Sequence, residues 1–503
     1  MSAYTRLEQR FKRLNALREA AGLLQWDMST MMPAGGAEAR GEQLAALDVT
    51  CHELLSAPET AELLEAAEGA AAEGETGELD PWARANLREM RRHWRHETAL
   101  DPALVEALSK AGNACEMVWR EARAQADFAM VLPRLKELLA LVRRAAAAKA
   151  EVLGCTPYDA LLDLYEPGAA TARIDEIFDG LAAFLPGFLS RVLERQATAP
   201  APLALEGPFP VETQRALARR LMERVGFDFA RGRLDESLHP FCGGVPEDLR
   251  ITTRYDEADF TKALMGVLHE TGHAMYERGL PAKWRLQPVG EARGMVVHES
   301  QSLLIEMQVC RGAGFVDYLA PLAREAFGGQ GPAWEADNLL RIYNRVEPGF
   351  IRVDADEVTY PAHVILRYRL EKALIAGEME AEDLPEAWNA AMAELLGITP
   401  PDDGVGCLQD IHWYDGAWGY FPTYTLGAMA AAQLFAAAKA AVPEIPEAIS
   451  RGDFTPLMAW LGEHVHALGS LHGTDDLIER ATGKPLDPKV FEAHLKARYL
   501  GDS

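Results

Sequence analysis

Two histidines and a glutamate within five residues could hold and use a metal ion. His269, Glu270 and His273 stand in the run His-Glu-Thr-Gly-His. Two imidazoles one helical turn apart can share a tetrahedral metal, and the carboxylate after the first histidine can reach a water on that metal, as in the H-E-x-x-H sites of zinc hydrolases. Zinc lowers the pKa of its bound water to about 7, and a general base takes the proton as the water attacks a carbonyl. The pattern therefore predicts metal-assisted hydrolysis, and a buried helix with two satisfied histidines is the alternative.

This chemistry requires that both histidines lie on one face of a helix. The apolar residues around them recur at spacings of three and four, which is typical of a helix with a buried face. Asp259 is a suitable N-cap, and Gly279 is a suitable C-terminal stop. The sequence predicts one helix between these two residues, with the histidines one turn apart.

A third protein ligand is needed, and its position distinguishes the classes of zinc hydrolase. The long metzincin pattern fails, because it requires glycine where Tyr276 stands and histidine where Gly279 stands. The following helical run, Ala292 to Cys310, offers Glu299 and Glu306 instead. Glu299 belongs to a polar patch, His-Glu-Ser-Gln, which would be costly inside an apolar core unless it were satisfied. We predict Glu299 as the third ligand and keep Glu306 in reserve.

The composition limits the partners and the compartment. A chain of 503 residues with a net charge of −26 is a poor ligand for nucleic acid or for an anionic membrane surface. The most membrane-like stretch, Leu426 to Val442, is mostly alanine and includes Gln433 and Lys439, which indicates a buried helix. The N-terminal residues have no signal-peptide pattern, and the six cysteines form no C-x-x-C pair. We expect a cytoplasmic protein that binds neither nucleic acid nor membrane.

Helical patterns dominate the rest of the chain. The pair Asp80-Pro81 opens a helix that carries five arginines between Arg84 and Arg95. In so acidic a chain we interpret these arginines as a solvated face that pairs with local glutamates. The run Leu249 to Tyr255 is the most strand-like, by its β-branched and aromatic content. It predicts a small sheet directly before the metal helix, which is either an edge that binds an extended peptide or a structural hairpin.

Six motifs follow one another along the chain. They are His239-Pro240-Phe241, Asp248-x-Arg250-x-Thr252, the HETGH helix, His298-Glu299-Ser300-Gln301, Ile351-Arg352-x-x-Ala355-Asp356 and Gly406-x-x-Gln409-Asp410-x-His412-Trp413. In this order they resemble the motifs of the carboxypeptidase Taq family of helical metallocarboxypeptidases. The resemblance covers nearly the whole length, and no motif position departs from the family pattern.

The resemblance implies a mainly α-helical fold with a deep central groove, like that of neurolysin and the angiotensin-converting enzymes. We expect residues 1–503 to form a single catalytic domain, with the N-terminal helices as candidates for a lid over the groove. The resemblance further implies that His269, His273 and Glu299 hold zinc, that cobalt can substitute in some members, and that Glu270 is the general base. Such enzymes remove C-terminal residues from peptides with broad specificity and are commonly homodimers.

Cleavage next to a free C-terminus requires a cation for the terminal carboxylate, preferably a guanidinium that grips both oxygens. Arg352 is the first candidate and Arg250 the second. By analogy with related helical peptidases, His412 or Tyr420 could donate a hydrogen bond to the tetrahedral intermediate. The other predicted substrate contacts are His239 and Gln409. The residues predicted to orient these groups and the metal ligands are Asp248, Asp356, Asp410 and His298.

Two other functions fit parts of the pattern. An oligopeptidase or endopeptidase on the same scaffold would share the metal site but would not require a free C-terminus. A peptide-binding protein with a vestigial metal site would have lost ligands or the base, and here Glu270 and the three ligands are all present. We therefore predict a zinc-dependent metallocarboxypeptidase, with the oligopeptidase as the alternative.

Overall fold

The computed structural model describes residues 1–73, 79–237 and 239–501, and helices dominate it. Their apolar stripes and their Asp, Ser, Thr and Pro start signals account for most boundaries; for example, Asp80 caps the helix at Pro81 through the amide of Ala83. The α-helices within these residues are α1 (Ala3–Thr30), α2 (Ala37–Ser56), α3 (Pro58–Glu73), α4 (Pro81–Thr98), α5 (Pro102–Gln125), α6 (Phe128–Leu153), α7 (Pro157–Tyr165), α8 (Thr171–Thr198), α9 (Val211–Val225), α10 (Phe260–Gly279), α11 (Met295–Leu303), α12 (Ala313–Phe327), α13 (Ala336–Tyr343), α14 (Tyr360–Ala376), α15 (Leu384–Leu396), α16 (His412–Asp415), α17 (Pro422–Ala441), α18 (Ile445–Ser450), α19 (Thr455–His464), α20 (Thr474–Thr482) and α21 (Pro488–Leu495).

The small sheet precedes the metal helix, as the sequence predicted. Its strands are β1 (Gly232–Glu236), β2 (Cys242–Val245) and β3 (Asp248–Thr253), in the order β1-β3-β2. β3 pairs with β1 in parallel and with β2 in an antiparallel hairpin. The most strand-like run of the sequence is therefore the central strand, and its backbone is not free to pair with a peptide.

Two large apolar clusters form the core, and α17 contributes to both. Met429 and Ala430 belong to a cluster with α5, α6, α8, α14 and α15. Leu434 and Phe435 belong to a second cluster with α9, α10, α12 and β3. The alanine-rich stretch is thus a buried helix between two cores, as predicted. Within the described residues, no helix combines the length and apolar content needed to cross a bilayer.

Helices α1 to α4 have a smaller apolar cluster of their own, which includes Leu7. They contact the segment before α11 through hydrogen bonds and one aromatic stack. The Asn15 amide donates to Glu291 over 2.8 Å, and Trp82 stacks on Trp284 with ring centroids 5.9 Å apart. The lid predicted for these helices stays a prediction.

The crossing of α10 and α11 depends on one glycine. A Cβ at Gly272 would lie 2.5 Å from the carbonyl oxygen of Gln301 and 2.7 Å from the Cα of Ser302. Real Cβ atoms do not approach this closely, so only glycine permits the contact. Gly272 is the fourth residue of the His-Glu-Thr-Gly-His run, and the crossing brings α11 directly against the two histidines.

We predict that Gly272→Ala destabilises the protein, while Gly266→Ala on the same helix does not. No atom lies within 4 Å of a Cβ built on Gly266, so alanine there should be neutral or stabilising by up to about 1 kcal/mol. Alanine at Gly272 must push α11 away, at a cost of about 1–3 kcal/mol. Urea unfolding of the two variants measures the difference, and equal stabilities would contradict the proposed role of the close crossing.

Candidate active site

The two histidines of α10 and Glu299 of α11 converge on one point. The Nε2 atoms of His269 and His273 lie 3.9 and 3.5 Å from Glu299 Oε2, and one ligand atom from each residue lies within 4.8 Å of the others. Two ligand atoms that are each about 2.1 Å from a tetrahedral zinc ion are about 3.4 Å apart. The spacing therefore fits a single metal ion held by all three side chains. Asp259 caps α10 as predicted, with its carboxylate accepting from the Thr261 amide.

The second nitrogen of His269 is held by the other candidate glutamate. His269 Nδ1 donates to Glu306 Oε2 over 3.0 Å, and Arg311 donates to the other oxygen of the same carboxylate over 2.6 Å. This bond fixes the ring and leaves Nε2 free for a metal. The structure therefore brings Glu299 to the ligand cluster and Glu306 to the outer side of His269.

The ring of His273 is oriented by the backbone of α11. Its Nδ1 donates to the carbonyl oxygen of His298 over 3.1 Å. The His298 ring packs on the His273 ring with centroids 4.5 Å apart, and its own Nε2 lies 2.9 Å from Glu277. His298 thus contacts and orients His273, and its role beside a metal ligand stays a prediction.

Glu270 and Glu299 are both buried, but their surroundings shift their pKa values in opposite directions. Burial raises the pKa of Glu270 to about 7. Burial also opposes ionisation of Glu299, yet the neighbouring His269 and His273 hold its pKa down at about 2. Glu299 is therefore the anionic member of the pair, which suits a metal ligand, while Glu270 has the proton affinity that suits a base near neutral pH.

Helix α17 packs directly against the side chain of Glu299. A Cβ at Gly427 would lie 2.8 Å from the Cβ of Glu299, so the absence of a side chain there allows the close packing. Tyr424, one turn earlier on α17, and Tyr360 both feel the negative charge of Glu299, which contributes to their raised pKa values. These two phenols therefore lie close to the metal ligands.

Arg352 contacts the same two tyrosines. Its guanidinium donates to Asp410 over 2.8 Å and to the Tyr360 hydroxyl over 3.2 Å, and it lies over the Tyr424 ring at 4.8 Å. Arg367 donates to the same Asp410 carboxylate over 2.7 Å. Both arginines are buried, so two positive charges share one carboxylate. Burial and the repulsion of Arg352 lower the pKa of Arg367 to about 10, although Asp410 opposes this shift.

The two predicted hydrogen-bond donors, His412 and Tyr420, lie in the same group of aromatic side chains as Tyr424. The His412 ring lies 5.8 Å from the Tyr420 ring, and its Nε2 lies 3.4 Å from the Tyr424 hydroxyl. Burial lowers the pKa of His412 to about 4 and raises the pKa of the Tyr420 phenol. Both groups are therefore neutral near pH 7, and each can donate a hydrogen bond.

The second candidate arginine, Arg250, is engaged elsewhere. It is paired with Asp248 over 2.7 Å and lies over the indole of Trp26 at 4.3 Å. Asp248 therefore orients an arginine, as predicted, at a contact between β3 and α1. His239 is exposed, and no side-chain contact links it to the metal ligands within the described residues.

Two more predicted residues bind the backbone. Gln409 accepts from the Arg352 amide over 2.8 Å and donates to the carbonyls of Phe350 and Val405, each over 2.9 Å. Asp356 accepts from the amides of Glu347, Val358 and Thr359. Gln409 thus holds the loop that carries Arg352, and Asp356 stabilises the turn before α14. Neither side chain orients a histidine or a guanidinium.

Comparison with known proteins identifies the family. The Carboxypeptidase Taq (M32) metallopeptidase profile matches residues 6–499. The chain belongs to the carboxypeptidase Taq family. It is 40% identical over 512 residues to thermostable carboxypeptidase 1 of Thermus thermophilus, covering 99% of this chain and 98% of that protein.

Solved structures agree with this assignment. Trypanosoma cruzi metallocarboxypeptidase 1 is 44% identical and superposes with a TM-score of 0.96 over 99% of each chain. A Pyrococcus furiosus carboxypeptidase is 34% identical and superposes with a TM-score of 0.93 over 99% of each chain. The protein is a metallocarboxypeptidase with the mainly α-helical fold of this family, and both predictions are confirmed.

Several residues of this carboxypeptidase site were not singled out from the sequence. Arg367 lies inside the apolar helix α14, where a buried arginine indicates an anionic partner. Gly272 and Gly427 are close-contact positions within helices, and an interior glycine is a weak signal of that kind. Tyr360 and Tyr424 belong to aromatic runs whose composition is equally typical of packing.

We predict that Glu306→Gln weakens metal binding by about tenfold to a hundredfold, since Glu306 orients His269. A matched control is Glu357→Gln, because Glu357 is also buried and also pairs with an arginine, Arg498, over 2.9 Å. Competition with a chelating dye measures the affinity of each folded variant for zinc. The control should lose stability but bind zinc like the wild type, and equal losses of affinity in the two variants would contradict an orienting role.

Proposed function

We propose that this metallocarboxypeptidase hydrolyses the C-terminal peptide bond of peptides with broad specificity, using zinc held by His269, His273 and Glu299. Glu270 acts as the general base, and Arg352 binds the terminal carboxylate. The observation that carries this proposal is the nearness of a metal-ligand cluster to a buried, positively charged arginine pair, with Tyr360 and Tyr424 within the range of both. A peptide end laid between them would present its last peptide bond to the base and its carboxylate to the arginines.

The donor set suits zinc. Two imidazoles and one carboxylate are a common set at catalytic zinc sites, which leave a further position open. A bound zinc ion supplies a Lewis acid that polarises the scissile carbonyl and makes a water acidic enough to react near neutral pH. Glu270 then removes the proton from the attacking water and delivers it to the leaving amine. Its pKa, raised by burial to about 7, supports both transfers.

The charge balance around Asp410 supports Arg352 as the carboxylate site. Two buried guanidinium groups share one carboxylate, so the group carries one uncompensated positive charge. Burying such a charge is costly. A substrate carboxylate would neutralise it, and this requirement favours peptides with a free C-terminus over internal sites.

His412 and Tyr420 are the proposed donors to the developing oxyanion. The low pKa of His412 keeps its imidazole neutral, and the raised pKa of Tyr420 keeps its phenol protonated. The Nδ1 atom of His412 is buried and has no hydrogen-bond partner among the described residues. Neutral donors that are already in place stabilise charge as it develops without a reorganisation cost.

We also propose that this protein is a single catalytic domain, lies in the cytoplasm and forms a homodimer. The sharing of α17 by both large apolar clusters supports one catalytic domain. Six cysteines without disulfides suit a reducing cytoplasm. The expected homodimer rests on the family resemblance. The net charge of −26 supports peptides, and not nucleic acid, as the ligands of the site.

We expect Glu270→Gln to lower kcat by about 10²–10⁴-fold, because an amide cannot accept the proton. The variant should still bind zinc in equimolar amount, since Glu270 is not a proposed ligand. Elemental analysis and single-turnover kinetics on one preparation measure both quantities. Glu223→Gln, which alters an exposed residue of α9, is the control for effects of purification and assay. If Glu270→Gln kept its activity, Glu270 would not be the base. If the wild type contained a different metal in equimolar amount, zinc would not be its metal.

Arg352→Lys and Arg250→Lys form a matched pair for the carboxylate site. Lysine keeps the charge but cannot grip both oxygens, so Arg352→Lys should lower kcat/KM for a free-acid peptide by about tenfold to a hundredfold. Arg250→Lys should resemble the wild type. Mass spectrometry follows each enzyme on the peptide and on its C-terminally amidated twin.

The wild type should release single residues in a ladder from the free-acid peptide alone. A loss of activity confined to Arg250→Lys would transfer the role to Arg250. Internal cleavage of the amidated peptide at an equal rate would favour the endopeptidase alternative.

A further inference from the structure

A second cavity of about 850 Å³ lies apart from the metal ligands, against helix α4. Among the described residues, its walls include the end of α6, the residues that lead into α8 and the loop before α11. Neither the metal ligands nor Glu270, Arg352 or Arg367 line it. The volume falls within the range of small-molecule sites.

Five arginines of α4 line this cavity. They stand at spacings of three, four and one along the helix: Arg84, Arg88, Arg91, Arg92 and Arg95. Such spacings keep side chains on one broad face. The first and last are eleven positions apart, which corresponds to about 16 Å of helix. This row is longer than a single phosphate or carboxylate and matches a chain of linked anionic groups.

The acids of the cavity are already committed to other partners. Glu89 is shared by Arg88, Arg92 and Arg293, all at 3.0 to 3.1 Å. Glu68 forms a double hydrogen bond with Arg91. The other two acids, Asp159 and Asp163, accept from the backbone amides of Thr171 and Gly168, each over 2.7 Å. Among the described lining residues, six arginines thus face four acids in a chain whose net charge is −26.

Arg84 and Arg95 are the two arginines of the cavity that pair with no acid among the described residues. The guanidinium of Arg84 donates to the carbonyl oxygen of Leu79 over 2.8 Å and forms no ion pair within the described residues. The guanidinium of Arg95 forms neither a hydrogen bond nor an ion pair with any described residue. Both are exposed toward solvent at the cavity. The solvated face predicted from the sequence is therefore paired with acids only in part.

Two helix starts border the cavity. Ala170 precedes α8, a helix of 28 residues, and Gly473 precedes α20; both line the cavity. The N-terminal ends of helices carry partial positive charge and favour anions. Asp159 already accepts from the first amide of α8, and the first turn of α20 carries Asp475 and Asp476. The helix starts therefore contribute little, and the arginines determine the sign of the ligand.

We propose that this cavity binds a small polyphosphate, either inorganic or attached to an organic group. Planar guanidinium groups bind phosphoryl oxygens in pairs, and Arg84 and Arg95 are the exposed guanidinium groups of this row that form no ion pair with a described residue. Leu79, Leu87 and Leu153 provide an apolar wall for an organic group. The volume of the site suits a small molecule.

The test compares Arg84→Gln/Arg95→Gln with Arg120→Gln/Arg451→Gln. The control pair removes the same charge from exposed arginines that form helical ion pairs outside the cavity. Isothermal titration calorimetry of the zinc-loaded full-length enzyme, with magnesium in excess, uses tripolyphosphate, ATP and adenosine as probes. The wild type and the control should bind tripolyphosphate and ATP at one saturable site, and the cavity variant should bind at least roughly tenfold more weakly.

The three probes distinguish the two sources of phosphate. Equal affinity for tripolyphosphate and ATP would assign the site to the phosphate chain alone, and tighter binding of ATP would assign the organic group to the apolar wall. Adenosine alone should not bind. Absence of saturable binding would overturn the proposal, and so would binding that persists unchanged in the cavity variant, since that ligand would then occupy another site such as the metal centre.

Discussion

A Cβ on Gly272 would lie 2.5 Å from the backbone of α11, and this single close contact sets the geometry of the metal site. A glutamate side chain reaches only a short distance from its backbone. Helix α11 must therefore approach α10 closely for the Glu299 carboxylate to come within 4 Å of both imidazoles. Gly427 meets the same requirement on the opposite side, where α17 packs against the side chain of Glu299. The ligand is thus held between two helices that approach it only because glycine stands at both contacts.

The position of α17 connects the metal ligands with the carboxylate site. This helix packs against both large apolar clusters, so it joins α10 and α11 on one side to α14 on the other. Tyr424, near its start, feels the charges of Glu299 and Arg352 at once. The acidic ligand cluster and the basic arginine pair therefore both lie near one group of aromatic side chains, and a peptide end bound there would meet both charges. This arrangement favours one orientation of the chain.

The sequence predicted what depends on local spacing and on residue chemistry. The helix from Asp259 to Gly279, the cap at Asp80 and the buried alanine-rich helix all follow from periodicity, and all were confirmed. Asp410 was one of several candidates to orient a histidine or an arginine, and its pairing with both Arg352 and Arg367 came from the structure. The partners of Gln409 and Asp356 could not be predicted, because their amide and carboxylate groups bind backbone atoms exposed by the particular path of the loops around Arg352.

The separate positions of Glu299 and Glu306 show why their spacing in the sequence did not distinguish their roles. Seven residues correspond to about two turns of α-helix, so the sequence alone puts both carboxylates on one face, as rivals for one position. In the structure the α-helical hydrogen bonds end at Leu303, and a π-helical segment, Leu304–Cys310, follows. Its wider turn changes the angle between the two carboxylates, and such segments are frequent at functional sites. Glu299 can then face the Nε2 atoms while Glu306 reaches Nδ1 of His269, so a change in helix type after the ligand lets two glutamates of one helix serve the same histidine from different sides.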